Sequence, residues 1–101
     1  MAYKPIILKS AQVEYRDIVA YLSRSLGSPQ AASNFINEFG KQVERACQNP
    51  AQFPLSRIPE LALKGYRSAL VNSYIMLFKV DEAMIVIAHI FHQSQEYASL
   101  I

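Results

Sequence analysis

Four cations, Arg57, Lys64, Arg67 and Lys79, fall in a stretch that holds a single acid, Glu60. An excess of that kind suits a phosphate backbone or an acidic protein, and it equally suits a solvated face. Arg67 carries the sharpest chemistry of the four, because a guanidinium can grip a phosphate through two parallel N–H bonds. The same side chain can instead pair structurally with a carboxylate near the helices. His92 is of the residue type that can give or take a proton in a reaction as general acid or base. At the end of a strand it can equally be a hydrogen-bonded, half-exposed structural residue. His89 stands three residues earlier, and strand alternation turns it to the opposite face. The two imidazoles should therefore neither act as a pair nor share a metal. Cys47 is the one cysteine, which excludes an internal disulfide and a paired-cysteine metal site. It lies on an apolar stripe and reads as a small core residue. The sequence thus calls for no metal and no cofactor.

These positions need elements to hold them. Tyr3 to Leu8 is a short apolar run, a strand with Pro5 marking an edge or a start. Ser10 is a plausible cap for a helix whose stripe is Ala11, Tyr15, Ile18, Val19, Leu22 and Leu26. Gly27 ends it. Ser28-Pro29 opens a second helix, with Pro29 at the first helical position, where its missing N–H costs nothing. Its stripe is Ala32, Phe35, Ile36, Phe39, Val43, Ala46 and Cys47, and Gly40 within it predicts a close contact with a helix or the sheet. The link between the helices is short enough to demand an antiparallel hairpin.

Residues 49–64 hold three prolines and no period, so they read as a long loop, with Phe53, Leu55, Ile58 and Leu61 to pack it down. Three apolar runs follow, at Tyr66–Val71, Tyr74–Val80 and Met84–Phe91. Polar pairs Asn72-Ser73 and Asp81-Glu82 separate them, which predicts a meander of hairpins. His92–Ile101 reads as a short tail or one helical turn. The order is β-α-α-β-β-β, an α+β fold with a helix hairpin packed on a small antiparallel sheet. The opposite sheet face should be open or shallow, ready for a partner.

The chain has 101 residues and a net charge of +2, with 51% apolar and 18% charged residues. That suffices for one small domain, read as 1–101, and excludes a disordered tail. No cleavable leader and no membrane-length apolar run appears, so the expected location is the cytoplasm. No helix with a basic recognition face is visible, so no direct DNA binding is expected.

The whole chain resembles the RelE/ParE superfamily of type II toxins. The resemblance rests on Asp17-Ile18-Val19-Ala20-Tyr21-Leu22, Gly27-Ser28-Pro29-Gln30-Ala31-Ala32, Asn49-Pro50 with Phe53-Pro54, and Gly65-Tyr66-Arg67. It continues through Val71-Asn72-Ser73-Tyr74-Ile75, Phe78-Lys79-Val80-Asp81, then Ile87, Ile90 and His92, to the ending Glu96-Tyr97-Ala98-Ser99-Leu100-Ile101. The resemblance implies a growth-inhibiting toxin neutralised by a cognate antitoxin. The antitoxin would use the outer groove of the helix hairpin or the Tyr3–Leu8 edge.

Such toxins act in one of two ways: ribosome-dependent cleavage of messenger RNA, or inhibition of DNA gyrase by binding. Cleavage needs no metal, but it needs groups that move protons and neutralise charge on phosphate. Arg67 and His92 would be the catalytic residues if the chain were a nuclease, and Tyr97 could stand near the scissile phosphate or pack the tail. Ile75, Ser94 and Gln95 occupy places where nucleases of this group carry cations. The resemblance therefore implies a ParE-like binding toxin. Its alternatives are a metal-independent endoribonuclease and a degenerate toxin that survives as an interaction module.

Overall fold

The computed structural model describes residues 2–95. Tyr97 and the expected tail or helical turn beyond Gln95 lie outside the described residues. The elements are β1 Lys4–Ile7, α1 Lys9–Ala20, α2 Pro29–Gln48, α3 Pro59–Leu63, β2 Arg67–Val71, β3 Tyr74–Asp81 and β4 Met84–His92. A π-helical turn, Tyr21–Ser25, extends α1, and a 3-10 turn, Pro50–Gln52, follows α2. The short turn α3 lies inside the stretch read as loop.

Local chemistry accounts for most boundaries. Ser28 caps α2, its side chain accepting the Ala31 N–H at 3.1 Å, with Pro29 next. Gly27 takes φ +66 between the two helices, a conformation costly for a residue with a Cβ. Asn72 and Glu82 hold φ near +57 at the first position of the two hairpin turns, the geometry that matches strand twist. The second turn is Glu82-Ala83, one residue later than expected, because Asp81 still pairs with Met84.

Ser10 is not the cap of α1. The helix starts at Lys9 with Leu8 at the cap position, two residues earlier than expected, and the Ser10 hydroxyl donates to Ala88 O at 2.7 Å. Gly40 makes no close contact either. It is exposed on α2, and a Cβ built there would meet nothing within 4 Å. It follows Phe39, whose ring takes the buried side of the turn.

The sheet order is β1-β4-β3-β2. The meander β2-β3-β4 is antiparallel as expected, but β1 joins β4 in parallel, so the sheet is mixed. The helices and loop connect β1 to the meander, so no tight turn forces antiparallel pairing on it. The β3–β4 register jumps from Leu77↔His89 to Phe78↔Ile87, which leaves Ala88 as a bulge. The bulge shifts the alternation by one residue. As a result Ile85, Ile87 and Ile90 all face the helices.

Two apolar layers result. Phe35 and Phe39 of α2 pack with Tyr15 on Ala69, Val71, Met76, Phe78 and the β4 isoleucines. Each fully buried side chain of this size contributes about 1.5–3 kcal/mol. On the opposite face, Leu61, Ile58 and Tyr66 cover Ile75, Leu77 and Phe91. The face expected to be open is thus half closed by the loop itself.

Candidate partner-binding groove and the predicted catalytic positions

Arg67 opens β2. Its Nη1 donates to Phe53 O at 2.6 Å, tying the loop to the sheet where the Phe53 ring meets Phe78 edge-on. His92 closes β4. Its Nδ1 lies 2.7 Å from Ser94 Oγ, and its ring stands edge-on to Tyr74. Arg67 pairs with Phe78, whereas His92 pairs with Tyr74 opposite Val71. Four residues along the strand and two strands across put their Cα atoms about 16 Å apart. Ala69, Val71, Met76 and Phe78 fill the ground between them, all buried under the helices. The fold does not bring Arg67 and His92 to one phosphate.

The other cations also disperse. Lys79 lies 5.3 Å over the Tyr66 ring, Arg57 donates to Gln93 O at 3.3 Å, and Lys64 is exposed beyond α3. His89 meets Glu14 of α1, not His92.

Polar residues of the helices carry more than their sequence pattern announced. Glu14 was off the apolar stripe, yet it reaches the free edge of β4 and accepts the Ile90 N–H at 2.9 Å. Gln42 is buried on α2, donating to Leu70 O at 2.7 Å and accepting from Arg45 Nη1 at 2.8 Å. Its spacing, three after Phe39 and four before Ala46, was the available signal. Arg45 in turn lies 5.3 Å over the Phe53 ring.

The outer surface of the helix hairpin holds a groove of ≈ 290 Å³ lined by Tyr15, Arg16, Val19, Ala20, Ser23, Arg24 and Ile36. Its floor is apolar, and Arg16 and Arg24 are exposed on it, two turns apart. Ile36, which lines it, exposes 42% of its surface. Burial pushes the Tyr15 phenol up from its ordinary value.

The two sheet edges offer less. Along β1, Tyr3 N–H donates to Cys47 O, Pro5 has no N–H, and Ile7 O accepts from Gln12 Nε2. Along β2, Tyr66 N–H donates to Leu61 O, Tyr66 O accepts from Ser56, Ser68 N–H donates to Pro54 O, and Gln42 holds Leu70 O. Strand addition at Tyr3–Leu8, one of the two expected receptors, would find few groups left to pair.

Residues 6–97 match the family described as ParE toxin of type II toxin–antitoxin system, parDE. The chain belongs to the ParE toxin family. Solved structures agree on the toxin fold. A chain of the chromosomal ParDE toxin–antitoxin system from P. aeruginosa superposes with a TM-score of 0.71 at 19% identity, over 90% of this chain and 96% of that one. A chain of the RelBE2 toxin–antitoxin complex from Mycobacterium tuberculosis gives 0.61 at 22% identity, over 92% and 100%. At such identities both are similar in fold alone. No curated protein matches the ParE-family chain in sequence. Among the toxin's described residues, no helix is long and apolar enough to cross a membrane.

Proposed function

We propose that this ParE-family toxin arrests growth by binding an essential target, with DNA gyrase the first candidate, and is neutralised in the cytoplasm by a cognate antitoxin. The observation that carries the binding mode is the separation of Arg67 from His92 across a buried core. A nuclease would need both on one scissile phosphate, and losing one transition-state donor costs on the order of a hundredfold in rate. Arg67 is already engaged with a backbone carbonyl. Ile75, in a place where a cation would serve cleavage, is buried under the loop.

The antitoxin reading rests on the hairpin groove. An apolar floor flanked by Arg16 and Arg24 fits an amphipathic helix with acidic flanks, laid in by its apolar face. The partly occupied edges of β1 and β2 favour that mode over strand addition.

Expression of the toxin with and without the antitoxin tests the reading. Wild type and His92→Ala should both arrest growth, and primer extension should show no codon-phased cuts. Arg16→Glu with Arg24→Glu should stay toxic while escaping neutralisation. Codon-phased cuts that vanish in His92→Ala would establish the nuclease instead.

A further inference from the structure

The sheet face turned away from the helices is covered over only part of its width. The loop and α3 close it above Ile75, Leu77 and Phe91. Toward β1 the cover ends. Ile7, Ile85 and Ile87 face the helices, so alternation turns Ile6, Met84 and Val86 to the other side. Leu8 continues the row, since its N–H still bonds Ile87 O. Ile6 and Leu8 are 38% and 40% exposed, and Met84 and Val86 are half-buried. Four aliphatic side chains therefore share one open patch on two neighbouring strands.

The register fixes their neighbours. Ile6 stands beside Val86 and Val86 beside Lys79, while Lys4 stands beside Met84 and Met84 beside Asp81. Lys9 follows Leu8 at the start of α1 and is exposed. Three lysines thus border the patch, against Asp81 beside Met84 and Glu82 in the adjoining turn. The nearby Glu14 carboxylate is turned to Ile90 N–H and His89.

We propose that this patch is a second docking surface, separate from the hairpin groove, for an acidic amphipathic helix of a protein partner. Alternate residues of a strand lie about 6.6 Å apart, close to the ~6 Å that separates i and i+4 on a helix. A helix can therefore set an apolar stripe along Ile6–Leu8 and Met84–Val86, as α2 does on the opposite face. Acidic flanks would meet Lys4, Lys9 and Lys79. The patch is aliphatic, and Tyr66, the ring beside it, lies under the Lys79 ammonium. It therefore lacks the stacking platform that a single-stranded nucleic acid uses. The proposal does not rest on which target the toxin inhibits.

The test uses the full chain with labelled methyl groups, observed by NMR. The probes are a short designed helix with a leucine stripe and glutamate flanks, the same helix with lysine flanks, and a single-stranded oligonucleotide. The glutamate helix should shift the methyls of Ile6, Leu8, Met84 and Val86. Ile6→Ser should weaken it, and Lys4→Glu with Lys9→Glu should weaken it by about tenfold and favour the lysine helix instead. All three substitutions fall at exposed positions, so the amide spectrum of each variant should keep its dispersion. The proposal fails if the shifts appear only at Val19 and Ile36 in the hairpin groove, or nowhere. It fails equally if the oligonucleotide moves the patch methyls as tightly as the peptide.

Discussion

Glu14 stands where a neighbouring strand would otherwise stand for Ile90. Its Oε1 accepts the Ile90 N–H at 2.9 Å, and its Oε2 lies 3.0 Å from His89 Nδ1. Below this point β1 supplies the ladder to β4. Above it the chain has turned into α1, and side chains take over. After the last backbone bond, Leu8 N–H to Ile87 O, the Ser10 hydroxyl donates to Ala88 O, Glu14 holds Ile90, and Gln95 Oε1 accepts the His92 N–H. The helix thus blunts an edge that would otherwise invite another strand.

Removing the acceptor should therefore cost more than removing the charge. Glu14→Ala leaves the Ile90 N–H unmet and should lower stability by about 1–3 kcal/mol, whereas Glu14→Gln keeps an oxygen in place and should lose less. Urea unfolding of the two variants measures the difference. Equal losses would mean that the Ile90 bond contributes nothing.

Arg67 should prove structural. Its charged bond to Phe53 O holds the loop onto the sheet, so Arg67→Ala should cost about 1.5–3 kcal/mol in a thermal melt. Growth arrest should survive at temperatures where the variant stays folded. Loss of arrest at unchanged stability would put Arg67 in the toxic machinery.

Gly40 is a mid-helix glycine with open space where a Cβ would go. Gly40→Ala should stabilise the chain by roughly 0.5–1 kcal/mol, because the alanine has less backbone freedom to lose on folding. A lower denaturation midpoint would mean that something packs against this site.

Tyr15 and Tyr74 should make the fold sensitive to alkali. Burial pushes both phenols above their ordinary value of 10.0, and Tyr21 adds to the shift at Tyr74. The folded state then holds these protons more tightly than the unfolded chain does. Their contribution is complete below pH 10 and is lost as pH rises through the folded values. Tyr74→Phe should flatten the fall in unfolding free energy above pH 10. An unchanged slope would contradict the burial argument.

How much of this was legible in the sequence depends on what each residue reports. Stripes such as Phe35, Phe39 and Ala46 report helices directly, and Asn72-Ser73 reports a hairpin, so the element order could be read. The direction of β1 could not, since it depends on a distant pairing with Met84–Ile87. The bulge at Ala88 carries no local mark, yet it sets which β4 side chains face the helices. The separation of Arg67 from His92 follows from strand register, which two residue types cannot disclose. Residues 49–64 lack a period; their apolar residues told that the loop packs down, but which sheet face it covers, Ile75 and Leu77, emerged only from the fold. Conversely, the helix hairpin was legible from the short Gly27-Ser28-Pro29 link, while its outer groove as a partner site was implied only by the resemblance.

We propose that this ParE-family toxin works by binding and not by cutting. Supercoiling by purified DNA gyrase, with the toxin added in excess, tests it most directly. Inhibition by both wild type and His92→Ala, relieved by the antitoxin, is the expected result. Supercoiling that proceeds untouched while translated messages are cut at codon-spaced positions would contradict it.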